Sequence, residues 1–139
     1  MDDPFNLQRF VTAQAPVFEQ ACTELSEGRK RTHWMWFVFP QIGGLGSSPM
    51  ARKFAISSQE EARAYLSHPM LGSRLKACTA LVVLAEGRSV SKIFGFPDDL
   101  KFRSSMTLFS RASPTNSIFA EALQKYFVGE ADPETLTRL

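Results

Sequence analysis

Apolar residues recur every three or four positions along most of this 139-residue chain, the spacing that places them on one face of an α-helix. A shorter series near the start is interrupted by Pro16, which predicts two helices or a kink there. The longest series predicts the central helix of the fold and runs through Leu71, Leu75, Cys78, Val82 and Ala85. We therefore expect an all-α fold of about six or seven helices.

Residues that favour helix ends divide this pattern into elements. A polar side chain followed by proline suits a first turn, because the side chain caps free backbone N–H groups and proline fits the first helical position. Ser58 and Glu61 have the spacing of a capping box, in which each side chain satisfies a backbone N–H of the other. The predicted starts are residues 3–4, 58, 67–69, 89, 97–98, 117 and 132–133, and the predicted stops include Gly28, Gly87, Gly95 and Gly129.

The segment 34–40 (WMWFVFP) departs from this pattern because it is apolar on every side. It is too short for periodicity to distinguish a buried helix from a buried strand. The only plausible strand partner is the segment 53–56 (KFAI). We expect a buried central helix, with one minor two-stranded element as the alternative. The chain 1–139 then forms a single compact multihelical domain.

The composition supports a packed core and gives no sign of a strongly charged partner. Hydrophobic residues make up 44% of the chain, with 12 Phe, and charged residues make up 22%, which is typical of a globular protein. The net charge of +2 gives no global field toward nucleic acid, and the basic run at 29–31 stands alone. A nucleic-acid partner is therefore not favoured, and a protein partner is left open.

Several chemistries lack the residues they need. The two histidines and two cysteines are scattered, so no zinc site is predicted, and a Gly-x-Ser-x-Gly elbow is absent. We expect no metal and no cofactor. Cys22 and Cys78 lie in apolar helical patterns and are expected to be reduced, buried thiols. An acidic start and the lack of a long apolar run predict a cytoplasmic protein without a membrane span.

The first polar grouping surrounds the aromatic segment. His33 and Gln41 flank that segment, and a loop with Gly43, Gly44 and Gly46 follows it. Glycines allow a ligand to approach the backbone, and successive N–H groups can form an anion nest. The candidate ligand-binding residues here are His33, Trp34, Gln41, Gly43, Gly44, Gly46 and Ser48.

Each of these residues also has a structural interpretation. His33 is a candidate general acid or base because imidazole titrates near neutral pH, yet a histidine bonded to a backbone carbonyl beside the core fits the pattern as well. Trp34 fits either a stacking surface or the core. The loop also lacks the Gly-Lys-Ser/Thr ending of a phosphate-binding loop.

The second polar grouping opens the helix predicted near residue 98. Asp98, Lys101, Ser104 and Ser105 share one helical face because they lie three and four residues apart. We expect Lys101, Ser104 and Ser105 to contact a ligand, and Asp98, Asp99 and Lys101 are catalytic candidates with His33. The alternative is a solvated first turn whose carboxylates complement the helix dipole.

Four blocks of the sequence carry a resemblance to a known family. They are residues 33–41 (HWMWFVFPQ), the loop 44–48 (GLGSS), residues 61–66 (EARAYL) and the stretch from Phe94 to Ser105. Together they resemble a bacterial family of unknown function, DUF1810, whose members are sometimes labelled calpastatin-like. Calpastatins are disordered inhibitory repeats, whereas this chain has the caps and aromatic content of a packed globule. The resemblance implies a compact multihelical fold and leaves the activity open.

Three functions remain as hypotheses. The leading one is a ligand-binding helical protein whose pocket joins the glycine loop to the Asp98 and Lys101 face and takes a small anionic, nucleotide-like metabolite. The second is an enzyme at the same site, a hydrolase or N-glycosidase of nucleotide-like compounds, with Asp98 or Asp99 as acid or base. The third is a scaffold that binds a protein partner through exposed aromatic residues.

Overall fold

The computed structural model describes residues 2–139 and confirms the all-α prediction. Ten helices lie within these residues: α1 Gln8–Gln14, α2 Phe18–Ser26, α3 Met35–Val38, α4 Pro49–Lys53, α5 Gln59–Ser67, α6 Pro69–Leu84, α7 Val90–Phe94, α8 Asp98–Arg111, α9 Ile118–Phe127 and α10 Pro133–Thr137. The count exceeds six or seven because several one-turn helices, among them α3 and α4, leave little periodic signal.

Most predicted helix ends are observed; the start of the first helix and the capping box at α5 differ from the prediction. Pro16 does separate two helices, α1 and α2. The first helix begins at Gln8 rather than at Pro4, and Asp3 instead accepts bonds from the N–H groups of Leu7 and Gln8 across a turn. The low pKa of the Asp3 carboxyl follows from these backbone bonds.

The capping box at α5 forms only in part. The hydroxyl of Ser58 accepts a bond from the Glu61 N–H at 3.1 Å. The Glu61 carboxylate does not return to Ser58. It accepts bonds from the N–H and hydroxyl of Ser57 and pairs with Arg9 at 3.0 Å. A buried carboxylate gains more from a guanidinium and two donors than from one exposed N–H, which explains the difference.

The aromatic segment is buried and contains one helical turn, α3. Gln14, itself buried, donates a 2.7 Å bond to the Phe37 carbonyl and thereby fixes α1 against this turn. The alternative strand survives as a single parallel bridge between Ile42 and Ile56. This bridge lies just after the aromatic segment rather than within it. The Gln41 carbonyl accepts a bond from the Ile56 N–H, and the Gly43 N–H donates to the Ile56 carbonyl.

One continuous hydrophobic core holds the helices together. The predicted central helix α6 packs against α1, α2, α5 and α9, while α8 packs against α5, α7, α9 and α10. The centre of the fold is thus shared by α6 and α8. The thiols of Cys22 and Cys78 are free, and the first is only half-buried. No helix within residues 2–139 is long and apolar enough to cross a bilayer.

Candidate functional site

The glycine loop and the end of the aromatic segment enclose a narrow crevice. The space within it that is open to a water-sized molecule is only about 10 Å³. The bridge at Ile42 builds one wall, because Ile56 donates its N–H to the Gln41 carbonyl at 2.8 Å and accepts the Gly43 N–H at the same distance. The lining residues are Trp36, Gln41, Ile42, Gly44, Gly46, Ala51, Phe54 and Ala55.

Two of these glycines are required by geometry. Gly44 has a φ of +96°, a conformation that L side chains rarely adopt. A Cβ on Gly46 would lie only 2.8 Å from the Cβ of Ala51, so the loop can pass α4 only without a side chain there. Ser48, a predicted ligand-binding residue, caps α4 by accepting the Ala51 N–H at 3.1 Å. The sequence Ser48-Pro49 is a helix-start signal that would have revealed α4.

Lys101, from the second polar grouping, lies near Trp36, a residue of the crevice wall. The Lys101 ammonium lies 5.3 Å from the ring centroid of Trp36, within range of a cation–π interaction. Asp98 contacts Lys101 at 3.7 Å and forms a closer pair, 2.9 Å, with Lys30. Lys30 in turn lies 5.0 Å from the Trp34 ring. One carboxylate thus faces two ammonium groups, and each ammonium faces a tryptophan.

Glu24 fixes the segment that leads into this site. Its carboxylate accepts bonds from Gln20, the Arg31 N–H, both donors of Thr32, and the Trp34 indole N–H at 3.0 Å. Burial acts to raise the pKa of Glu24, but these bonds outweigh it and lower the pKa to about 2. Trp34 is fully buried and therefore orients the chain rather than lining the crevice.

The other sequence candidates lie in different surroundings. His33 is exposed. Asp99 accepts a bond from the N–H of its neighbour Leu100, which serves the first turn of α8. The Ser104 hydroxyl donates to Asp132 at 3.1 Å, on the side of α8 that meets α10.

Ser105 differs from its neighbours on α8. It is fully buried, and its hydroxyl has no hydrogen-bond partner among the described residues. Ser104 and Thr107 both donate to the carbonyl four residues before them, whereas Ser105 does not. It lies four residues after Lys101 and therefore shares its helical face.

Arg138 adjoins the crevice and was not among the sequence candidates. A Cβ built on Gly44 would lie 3.3 Å from the Cζ and Nη1 atoms of Arg138, so the guanidinium rests against the glycine loop. The two residues are 94 positions apart, and no local pattern links them. Only the docking of α10 brings them together.

Other surfaces offer less chemistry. No group of three or more His, Cys, Asp or Glu side chains that could hold a metal occurs in the part of the chain that the structure describes. An open groove runs along residues 113–119, with Lys76 at its edge, and its volume is about 510 Å³. It is roomier and more open than the crevice but contains none of the sequence candidates.

Comparison with known proteins identifies relatives without a described activity. No curated protein matches this sequence. The fold is similar to the crystal structure of the conserved hypothetical protein Rv1873 from Mycobacterium tuberculosis, with 58% sequence identity and a TM-score of 0.97 over 99% of this chain and 98% of that one. The model of the family described as "Protein of unknown function (DUF1810)" matches residues 4–139. The chain therefore belongs to the DUF1810 family.

Proposed function

We propose that this protein binds a small anionic, nucleotide-like metabolite at the crevice, with the anionic group next to Lys101. The observation that carries the proposal is the position of the Lys101 ammonium over Trp36, a wall of the crevice. Its contact with Asp98, 3.7 Å, is too long for a hydrogen bond. The three N–H donors of Lys101 are therefore available to an incoming anion.

The charge of the surrounding groups supports an anionic ligand. Asp98 is shared by Lys30 and Lys101, and the closer pair is with Lys30. Because Lys30 and Lys101 share the one carboxylate of Asp98, that carboxylate does not neutralise both ammonium groups. The indole rings beneath the ammonium groups are apolar and exclude water from one side of each, which strengthens attraction to an anion.

The size of the crevice limits what it can hold. Pockets that enclose drug-sized ligands span roughly 300–1,000 Å³, whereas the space open to a water-sized molecule here is only about 10 Å³. The anionic group would therefore lie at the mouth of the crevice, next to Lys101, and the remainder of the ligand would lie on the surface beside it.

The surroundings of the catalytic candidates favour binding over turnover. Asp98 is held between two ammonium groups, and Asp99 bonds to the backbone of its own helix. Within residues 2–139, His33 forms no hydrogen bond with a carboxylate that would orient its ring. A hydrolase or N-glycosidase needs an acid or base that is free to exchange a proton with the substrate, so we rank that function below binding.

The partner-binding hypothesis has one observation in its favour. Phe96 is 81% exposed and Leu100 is 50% exposed, and both lie at the start of α8, next to Lys101. Because an isolated pair of exposed apolar residues is common on protein surfaces, we rank partner binding second, below ligand binding. Retention of a cellular partner by the wild type and its loss in a Phe96→Ser, Leu100→Ser double variant would support it.

A binding titration with a named probe tests the proposal. Adenosine 5′-monophosphate (AMP) is titrated by calorimetry into wild type and Lys101→Met, with adenosine as the uncharged control. We expect AMP to bind, adenosine to bind at least tenfold more weakly, and Lys101→Met to lose about tenfold or more in AMP affinity, the effect of a lost charged hydrogen bond.

The matched control is Lys76→Met, which removes one exposed ammonium at the distant groove. Equal affinity of Lys101→Met and wild type for AMP would contradict the proposal. A loss in Lys76→Met alone would move the anion site to the groove along residues 113–119. Thermal melts of both variants confirm that they are folded.

A further inference from the structure

We infer that Arg138 is a second anion-binding residue of this crevice and that the natural ligand is a phosphate monoester. The inference rests on the proposed function. Trp36 and Gly44 both line the crevice. Lys101 lies over the first of these residues and Arg138 lies against the second, so each cation contacts a residue of the crevice wall.

The guanidinium of Arg138 has spare hydrogen-bonding capacity. Its ion-pair contact, 3.8 Å to the Glu134 carboxylate, is longer than a hydrogen bond, and Glu134 is 72% exposed. Arg9 shows what a structural arginine does in this fold, because its guanidinium donates five hydrogen bonds to four carbonyls and a carboxylate. The Arg138 side chain is 38% exposed, so its donors are open to solvent and to a ligand at the surface.

The position of Arg138 is set by α8, the helix that also carries Lys101. Asp132 begins α10 and accepts bonds from the Thr135 N–H and hydroxyl. The Ser104 hydroxyl donates to the same carboxylate oxygen at 3.1 Å, and the Asp132 N–H donates to Thr107 at 2.9 Å. Arg103 adds bonds to the carbonyls of residues 130 and 131. The positions of Lys101 and Arg138 are thus both fixed by α8.

The pairing of a guanidinium with an ammonium indicates the class of ligand. A phosphate monoester carries close to two negative charges at neutral pH, and two cations bordering one crevice match that charge better than they match a single carboxylate. The planar guanidinium can bond two phosphate oxygens at once, whereas lysine acts as a point charge. Ser104 then acts as a positioning residue for Arg138 rather than as a ligand contact.

Substitution of Arg138 separates its role from that of Lys101. AMP and inorganic phosphate are titrated into wild type, Arg138→Gln, Arg138→Lys and the control Arg63→Gln, which removes an exposed guanidinium from α5. We expect Arg138→Gln to weaken AMP binding about tenfold and Arg138→Lys to weaken it by a smaller factor, since charge remains but the two-point contact is lost. Arg63→Gln should bind as the wild type does.

A double-variant cycle tests the positioning role. Ser104→Ala should weaken AMP binding in the wild-type background and have no further effect on Arg138→Gln. Additive losses would show that Ser104 contacts the ligand itself and would overturn that part of the inference. Wild-type affinity in Arg138→Gln together with a loss in Lys101→Met would refute the role of Arg138 and leave the proposed function standing. Wild-type affinity in both would refute the proposed function.

Discussion

Replacement of Glu24 by glutamine should destabilise the protein and weaken the dependence of its stability on pH. The carboxylate of Glu24 accepts five hydrogen bonds from donors on residues 20, 31, 32 and 34. A glutamine side chain has one acceptor oxygen, and its amide group would point donors at donors. The segment that carries Trp34 and leads into the crevice would lose its anchor.

The magnitude follows from the pKa of Glu24, which the hydrogen bonds lower from 4.5 to about 2 against the opposing effect of burial. At about 1.4 kcal/mol for each tenfold change in proton affinity, the ionised carboxylate contributes roughly 3 kcal/mol to the free energy of unfolding. Because the folded pKa lies below the unfolded value, this contribution is fully present above pH 4.5. It is lost as the pH falls toward 2, with about 2 kcal/mol gone between pH 6 and pH 3.

Urea denaturation at pH 6 and pH 3 measures both effects. We expect Glu24→Gln to be less stable than the wild type by about 2–3 kcal/mol at pH 6, with a much smaller gap at pH 3. The matched control is Glu19→Gln, which changes an exposed carboxylate on the same helix and should follow the wild type at both pH values. An equal gap between Glu24→Gln and the wild type at both pH values would refute the reasoning.

Two further substitutions test the packing around the site. Ser105→Ala should raise the free energy of unfolding by about 1 kcal/mol, because it removes a buried hydroxyl that has no partner within residues 2–139; a lower melting temperature would show that the hydroxyl has one. Gly46→Ala should cost about 1–3 kcal/mol, because its Cβ would lie 2.8 Å from that of Ala51. Adding Ala51→Gly should restore much of that stability, and failure to restore it would place the strain elsewhere.

The sequence predicted those parts of the fold that depend on local interactions. The helices α6, α7 and α9 directly follow His68, Ser89 and Ser117, whose side chains accept bonds from free N–H groups of the first turn. Such signals span three or four residues, so the sequence shows them directly. The same locality explains why the break at Pro16 was predicted correctly.

Interactions between distant segments could not be predicted in this way. The carboxylate of Glu61 bonds to Ser57 and Arg9 rather than to its capping-box partner, because α1, which carries Arg9, packs close to it. Ser104 bonds to Asp132, 28 residues away, for a similar reason. Each outcome depends on which elements pack together, and helical periodicity carries no information about that.

The candidate site contains both local contacts, which the sequence predicted, and contacts between distant segments, which it did not predict. Helical spacing placed Asp98 and Lys101 on one face, and their ion pair is observed. The contact of Lys101 with Trp36 depends on the packing of α8 against the aromatic segment. Arg138 at the glycine loop depends on the docking of the final helix, and the sequence holds no signal for it.

The central claim is that an anion binds at the mouth of the crevice, beside the glycine loop and Lys101. The most direct measurement is a titration of the ¹⁵N-labelled protein with AMP, followed by chemical-shift mapping of backbone and indole N–H groups. We predict saturable shifts at Gly44, Gly46 and the Trp36 indole that are absent in Lys101→Met. Shifts confined to residues 113–119, or none at millimolar AMP, would contradict the claim.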